Sequence, residues 1–221
     1  MPRLARVLLD EDAAGLIAEI EALHERGHPA RVLMEQLIAP AARLLGDWWL
    51  ADDIDFVDVT MGVWRCQMLV QALSARTPGI AVPAAMQRHA LILPAPGEQH
   101  VLGAMIVEDA FRCAGWGTHG GPALDQDQLI ALVAATAFDV VGLSVGSQRV
   151  LAGVPRTIAA VRRAAGRAIV VLLGGPAIGD NGAVARWAGA DAAARDAAHA
   201  VALAERHLAG RTPARAAVGS G

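Results

Sequence analysis

Glu98-Gln99-His100-Val101-Leu102-Gly103 places a carboxylate and an imidazole two residues apart, with a glycine three residues further on. An apolar run of strand length, 89–94, precedes it, and 101–114 follows with apolar positions at 3.6-residue spacing, so His100 stands at a strand-to-helix turn. In an open α/β sheet that turn lies above the carboxyl end of the strand, where such sheets take their ligands. Two further loops of this kind follow. Gly142-Leu143-Ser144-Val145-Gly146-Ser147 closes one apolar run and Leu173-Gly174-Gly175-Pro176 closes the next. One imidazole, one hydroxyl and backbone free of side chains suit a large ligand held by one strong bond and by close main-chain approach.

The elements that must position these loops alternate along the chain. Strands are predicted at 89–94, 116–119, 138–145 and 168–173, with a short fifth at 190–194, and helices at 101–114, 125–136, 154–165, 181–188 and 196–209. Such alternation predicts an α/β fold, a flavodoxin-like (Rossmann-like) five-stranded parallel sheet of order 2-1-3-4-5. The first and third strands are then neighbours whose connections leave toward opposite faces, which opens a crevice at the His100 turn. Ahead of the sheet, 13–75 is helical in pattern, with Leu16, Ile17, Ile20 and Leu23 forming one apolar stripe. Breaks at Gly27-His28-Pro29, at Pro40 and across 46–55 predict an N-terminal four-helix-bundle cap. The expected organisation is a helical cap over 1–76, a Pro/Gly linker over 77–88, the α/β domain over 89–209 and a mobile tail over 210–221.

Composition narrows the function. Of 221 residues, 54% are hydrophobic and 19% charged, enough to bury a generous core and too apolar for disorder. A net charge of −3, with no long basic run, argues against strong nucleic-acid binding, so any regulatory role would pass through a protein partner. No signal-peptide pattern opens the chain and no apolar stretch is long enough to span a bilayer, so a soluble, cytoplasmic protein is expected. Cys66 and Cys113 lie in predicted helices without metal-ligand spacing and read as reduced core thiols. His24, His28, His119, His199 and His207 are scattered, although His28 sits in an interhelical loop from which it could reach a ligand. Asp52, Asp53, Asp55 and Asp58 cluster where a helix starts, which favours the dipole and leaves a docking surface for a basic partner as the alternative. Ser147, Gln148 and Arg149 read as a solvated loop or as contacts to a ligand's edge. No Ser-His-Asp order, phosphate loop or carboxylate pair is present, and no catalytic residue is expected.

The three loops together resemble the cobalamin-binding domain, marked by an Asp-x-His-x-x-Gly loop, a Ser-x-Leu after the third strand and a Gly-Gly after the fourth. The resemblance covers about 86–210 and implies His100 as the lower axial ligand of cobalt, with Glu98 fixing its tautomer. It implies room for the nucleotide tail at Gly103, a hydrogen bond from Ser144 to the displaced base, and Gly174 and Gly175 lying along that base. Two positions depart from the pattern: Glu98 replaces the usual Asp, and Gly146 the usual Leu.

The helical half adds Gly46-Asp47-Trp48-Trp49-Leu50-Ala51-Asp52 and Phe56-Val57-Asp58-Val59-Thr60. Trp48, Trp49 and Trp64 read either as bundle core or, for Trp49 above all, as cover for the upper face of the corrin. With the Pro-x-x-Gly-Glu-Gln-His loop and Arg112-x-x-Gly-Trp116, these residues resemble the AerR/PpaA group, cobalamin-binding antirepressors of photosynthesis-gene repressors in purple bacteria. The resemblance implies a light-responsive regulator binding adenosyl-, methyl- or hydroxocobalamin. Its partner would be a DNA-binding repressor protein, and light would act by breaking a cobalt–carbon bond so that the cap shifts. In light-dependent repressors of the CarH type a Trp-His and a Glu-His pair contact the upper face. Here Leu50 follows Trp49, and Val59-Thr60 stand where Glu-His would be, so that chemistry is not implied. A corrinoid methyl carrier and a haem-binding sensor on the same scaffold are the competing expectations.

Overall fold

Five short strands, none longer than six residues, build the sheet. The computed structural model describes residues 2–9, 13–179 and 182–210, and the chain divides into two units, Met1–Ala81 and Val82–Gly221. The expected tail, Gly210 apart, lies outside the described residues.

The first unit is helical. It comprises α1 (Pro2–Val7), α2 (Ala13–Glu25), α3 (Ala30–Leu33), a π-helical turn (Met34–Ile38), α4 (Ala39–Leu50) and α5 (Phe56–Arg76). Leu16, Ile20, Leu33, Met34, Ile38, Leu45, Leu69 and Leu73 form its core, each worth about 1.5–3 kcal/mol on full burial. A methyl group at Gly62 would lie 2.6 Å from Leu45 Cδ1, a measure of how closely α4 and α5 pack. The buried Arg65 donates to the Leu8 carbonyl at 2.7 Å, tying α5 to the end of α1. Asp55 caps α5: its side chain accepts the Asp58 N–H at 2.8 Å, and Asp58 accepts the Asp55 N–H at 3.3 Å.

The second unit runs β1 (His89–Pro94), α6 (Leu102–Cys113), β2 (Gly117–His119), α7 (Gln126–Ala135), β3 (Val140–Ser144), α8 (Gln148–Leu151), α9 (Val154–Ala165), β4 (Val170–Gly174), α10 (Gly182–Ala188), β5 (Ala192–Ala194) and α11 (Ala197–Ala209), with a 3-10 turn (Ala84–Met86) before β1. All strand pairs are parallel, in the order β2-β1-β3-β4-β5. Both faces are covered, which is why the strands read as near-continuous apolar runs. Leu91, Leu93, Val141, Leu143, Val171 and Leu173 pack with Leu129, Val133, Ile158 and Val161 on one face. Ala90, Ile92, Val140, Val170 and Leu172 pack with Ala104, Phe111, Leu203 and Ala204 on the other.

The amino edge of the sheet is held by polar side chains. Asp139 accepts the His89 N–H at 2.9 Å. Arg162 donates to Ile169 O at 3.0 Å, to Gly189 O and to Asp191, which in turn accepts the Val171 N–H at 2.7 Å. The opposite, carboxyl edge is left to the loops.

Three expectations change. Pro40 does not break its helix, because the Ala39 N–H reaches back to the Met34 carbonyl and the widened π turn absorbs the residue that lacks a donor. Gly46 to Leu50 stay helical, so the break expected over 46–55 narrows to the loop between α4 and α5, where Asp52 takes φ 59. The segment after the third strand is not all loop: Gln148–Leu151 forms α8. Cys66 is buried and its thiol is pushed up to about 12 by burial. Cys113 is half-buried beside Asp109 and Arg112. Among the described residues no helix is long and apolar enough to cross a membrane.

Candidate functional site

Pro94, Ser144 and Gly174 stand in register across β1, β3 and β4, so the three loops singled out in the sequence leave from one row of the sheet. Backbone bonds tie them together. Ala95 N–H donates to Ser144 O at 2.9 Å, Val145 N–H to Gly174 O at 2.8 Å and Ala177 N–H to Val145 O at 3.1 Å. Gly175 has φ 103, and a Cβ there would lie 2.5 Å from Val145 O. Only glycine fits that close approach in that conformation.

Glu98 organises the site. Its side chain is 2% exposed, whereas that of His100 is 75% exposed. Oε1 accepts the Gln99 N–H at 2.9 Å, the His100 N–H at 3.1 Å and the His100 ring at Nδ1. Oε2 accepts the Gly146 N–H at 2.8 Å and the Ser147 N–H at 2.9 Å. Burial pushes this carboxyl up, but hydrogen bonds from the His100 ring and from the His100, Gly146 and Gln99 amides outweigh it and hold the group down at about 2. An ionised carboxylate only accepts, so the proton of the shared bond sits on Nδ1, and in the neutral ring Nε2 keeps its lone pair.

Ser144 is half-buried, and its hydroxyl has no hydrogen-bond partner among the described residues. A Cβ built at Gly103 would lie 3.5 Å from Ser144 Oγ, so the two positions face each other and the exposed glycine puts no side chain between them. Gly174, also half-buried, borders Ala194.

The donor set bears on what could be held. Among the described residues no group of three or more His, Cys, Asp or Glu could hold a metal ion. One exposed imidazole cannot retain a bare ion, but it can complete the coordination of a metal that arrives in its own macrocycle. The Ser144 hydroxyl, beside an exposed Gly103, can offer a hydrogen bond to the appendage of such a molecule. Geometry and donors thus define a parallel α/β domain with one exposed, carboxylate-held imidazole at the carboxyl edge of its sheet.

Its identity follows from comparison. The model of the B12 binding domain matches residues 88–204, more than half of the chain, and the chain belongs to that family. A curated relative from Rhodobacter capsulatus, described as an uncharacterized 20.5 kDa protein in the bchF-crtJ intergenic region, is 30% identical over 184 residues, covering 82% of this chain and 93% of the relative. Among solved structures, the monomethylamine corrinoid protein of Methanosarcina barkeri has a TM-score of 0.74 at 18% identity, covering 91% of this chain and 95% of its own. A cobalamin-binding protein of Desulfitobacterium hafniense DCB-2 has a TM-score of 0.51 at 17% identity, covering 92% and 96%. These structural likenesses show the fold.

The remaining sequence candidates fall elsewhere. Trp49 and Trp64 are half-exposed, at 44% and 48%, and are not the bundle core offered as one reading; Trp48 is half-buried. His24 spends its Nδ1 on the carbonyl of His28. Asp55 and Asp58 serve the start of α5, as the dipole argument expects. Sequence reasoning missed the bonds from Glu98 to the amides of Gly146 and Ser147. The signal was present in the two departures themselves, a longer acid and a missing side chain.

Proposed function

We propose that this chain is a cobalamin-binding regulator in which His100 ligates cobalt from below, and that it acts as a light-responsive antirepressor by contact with a DNA-binding repressor protein. One observation carries the ligand assignment: an exposed imidazole whose Nδ1 is held by a buried, ionised carboxylate at the carboxyl edge of the sheet. Cobalamin, when bound, supplies a cobalt centre that accepts an imidazole nitrogen and a cobalt–carbon bond that light can cleave. Glu98 keeps the proton on Nδ1 and makes Nε2 a better donor. Ser144 offers its hydroxyl to the displaced base, while Gly103, Gly174 and Gly175 place no side chain in the way of the base and its tail. Gly146, whose amide anchors Glu98, leaves the ring its place. Trp49, an exposed aromatic at the end of α4, is assigned to cover the upper face.

The regulatory reading is supported by the 30%-identical relative, which lies between bchF and crtJ, a photosynthesis gene region. The domain family consists mostly of carriers and binding proteins, which favours a binding role over catalysis. A methyl carrier is the second reading, favoured by the fold shared with the monomethylamine corrinoid protein and with the methanol:cobalamin methyltransferase complex, the latter at a TM-score of 0.52.

The test is to mix the protein in the dark with adenosyl-, methyl- and hydroxocobalamin, desalt, record the spectrum, illuminate and record again. Retained cofactor with a light-dependent shift, lost in His100→Ala, is expected. A His100→Ala protein with unchanged spectrum and affinity would remove His100 from its role. Robust methyl transfer to candidate acceptors, without a light effect on partner affinity, would replace the regulator by the carrier.

A further inference from the structure

We infer that Glu98 and Gly146 act as one coupled positioning device, in which the absent side chain at 146 lets the carboxylate cross-link the His100 loop to the β3 loop and so sets the direction of the imidazole. The inference rests on the cobalamin reading for its consequence, but not for its geometry.

A glycine at 146 is not demanded by the backbone. It has no positive φ, so an alanine could adopt the same conformation. Its need lies in space. A Cβ at 146 would lie 2.8 Å from His100 Nδ1, 3.1 Å from Glu98 Oε2 and 3.2 Å from Glu98 Cδ. Of these neighbours, only the ring has somewhere to go. Glu98 is fixed by four backbone N–H donors from two loops, whereas the His100 side chain is 75% exposed. A methyl group at 146 therefore evicts the ring from the carboxylate rather than the carboxylate from its amides.

The same geometry explains the extra methylene of Glu98. Gly146 and Ser147 lie on the far loop, and the longer side chain spans the gap to their amides at 2.8 and 2.9 Å. An aspartate, shorter by one carbon, would keep the local contacts to residues 99 and 100 and give up the far pair. It would also withdraw from the space a methyl group at 146 needs. The two substitutions are thus predicted to be strongly non-additive, as expected of residues in direct contact.

Four full-length proteins test this: wild type, Gly146→Ala, Glu98→Asp and the double variant. In cobalamin-free protein, nitrogen NMR of the His100 ring reports the proton on Nδ1, and hydrogen exchange reports the amides of 146 and 147, with the β1 and β3 amides as the folding control. Gly146→Ala should free the ring and lower hydroxocobalamin affinity about 10- to 100-fold, while the sheet amides stay protected. Glu98→Asp should speed exchange at 146 and 147 and leave the ring tied. In the Asp background, adding Ala should cost at most a few fold. An unchanged ring in Gly146→Ala, unchanged exchange at 146 and 147 in Glu98→Asp, or an equal cost of Ala in both backgrounds overturns the coupling. If wild type retains no hydroxocobalamin, the cobalamin reading falls, and the ring and exchange measurements still decide the coupling.

Discussion

Glu98→Gln keeps the shape of the side chain and removes its charge and one acceptor. Five N–H groups converge on the carboxylate: Gln99, His100, Gly146, Ser147 and the His100 ring. An amide has one oxygen, so whichever way it turns, its NH2 faces at least two donors that then have no acceptor. Each orphan costs about 1–3 kcal/mol, reduced here because Gly146 and Ser147 are only half-buried. The same hydrogen bonds can be expressed as acidity. A carboxyl held at about 2 instead of its ordinary 4.5 contributes about 3 kcal/mol to the folded state. That contribution is complete above pH 4.5 and disappears as the pH falls toward 2, because the unfolded chain then takes up the proton first. The orphan count and the acidity agree on a destabilisation of the α/β unit by about 3 kcal/mol at pH 7 for Glu98→Gln, and the proton linkage makes the deficit smaller near pH 3. The assay is hydrogen exchange of the β1 and β3 amides at the two pH values, which reports the opening of this unit alone. Equal protection of wild type and variant at pH 7, or a deficit independent of pH, would refute the reasoning.

Other substitutions separate structure from binding. Ser144→Ala should leave the thermal stability of the cobalamin-free protein unchanged, since the hydroxyl has no partner to lose, while weakening cobalamin retention on desalting; a fall in stability would mean an unseen structural bond. Trp49→Ala should cost under about 1 kcal/mol in urea unfolding, because the ring is half-exposed, and should change the photolysis rate of bound alkylcobalamin, whereas loss of helical circular dichroism would return the residue to the core. Gly175→Ala should destabilise the α/β unit by about 1–3 kcal/mol, combining a φ of 103 with a 2.5 Å approach to Val145 O, and differential scanning calorimetry would show it.

Sheet order was legible because β1, β3 and β4 are short apolar runs, each closed by a loop that contains glycine, with helical patterns between them. The acidic cluster marked the start of α5, where Asp55 is the cap; Asp125 caps α7 in the same way. What escaped was interaction across sequence distance. The bond from Glu98 to Gly146 joins loops 48 residues apart, and no local periodicity encodes it. Pro40 misled because a proline reads as a break, whereas a π turn just before it supplies the missing geometry. The tryptophans were ambiguous for a related reason: aromatic side chains signal burial, and the chain alone does not say against what.

That π turn has a consequence for direction. An α-helix turns about 100° with each residue, so one extra residue accommodated between Met34 and Ala39 is a rotation of everything after it. Leu45 and Trp49 lie one turn apart on the same helix, the first buried and the second half-exposed, and the azimuth of both is dialled upstream. Deleting one residue from 34–38 would restore regular winding and swing Trp49 about 100° around the helix axis, which changes where the aromatic looks without touching the aromatic itself.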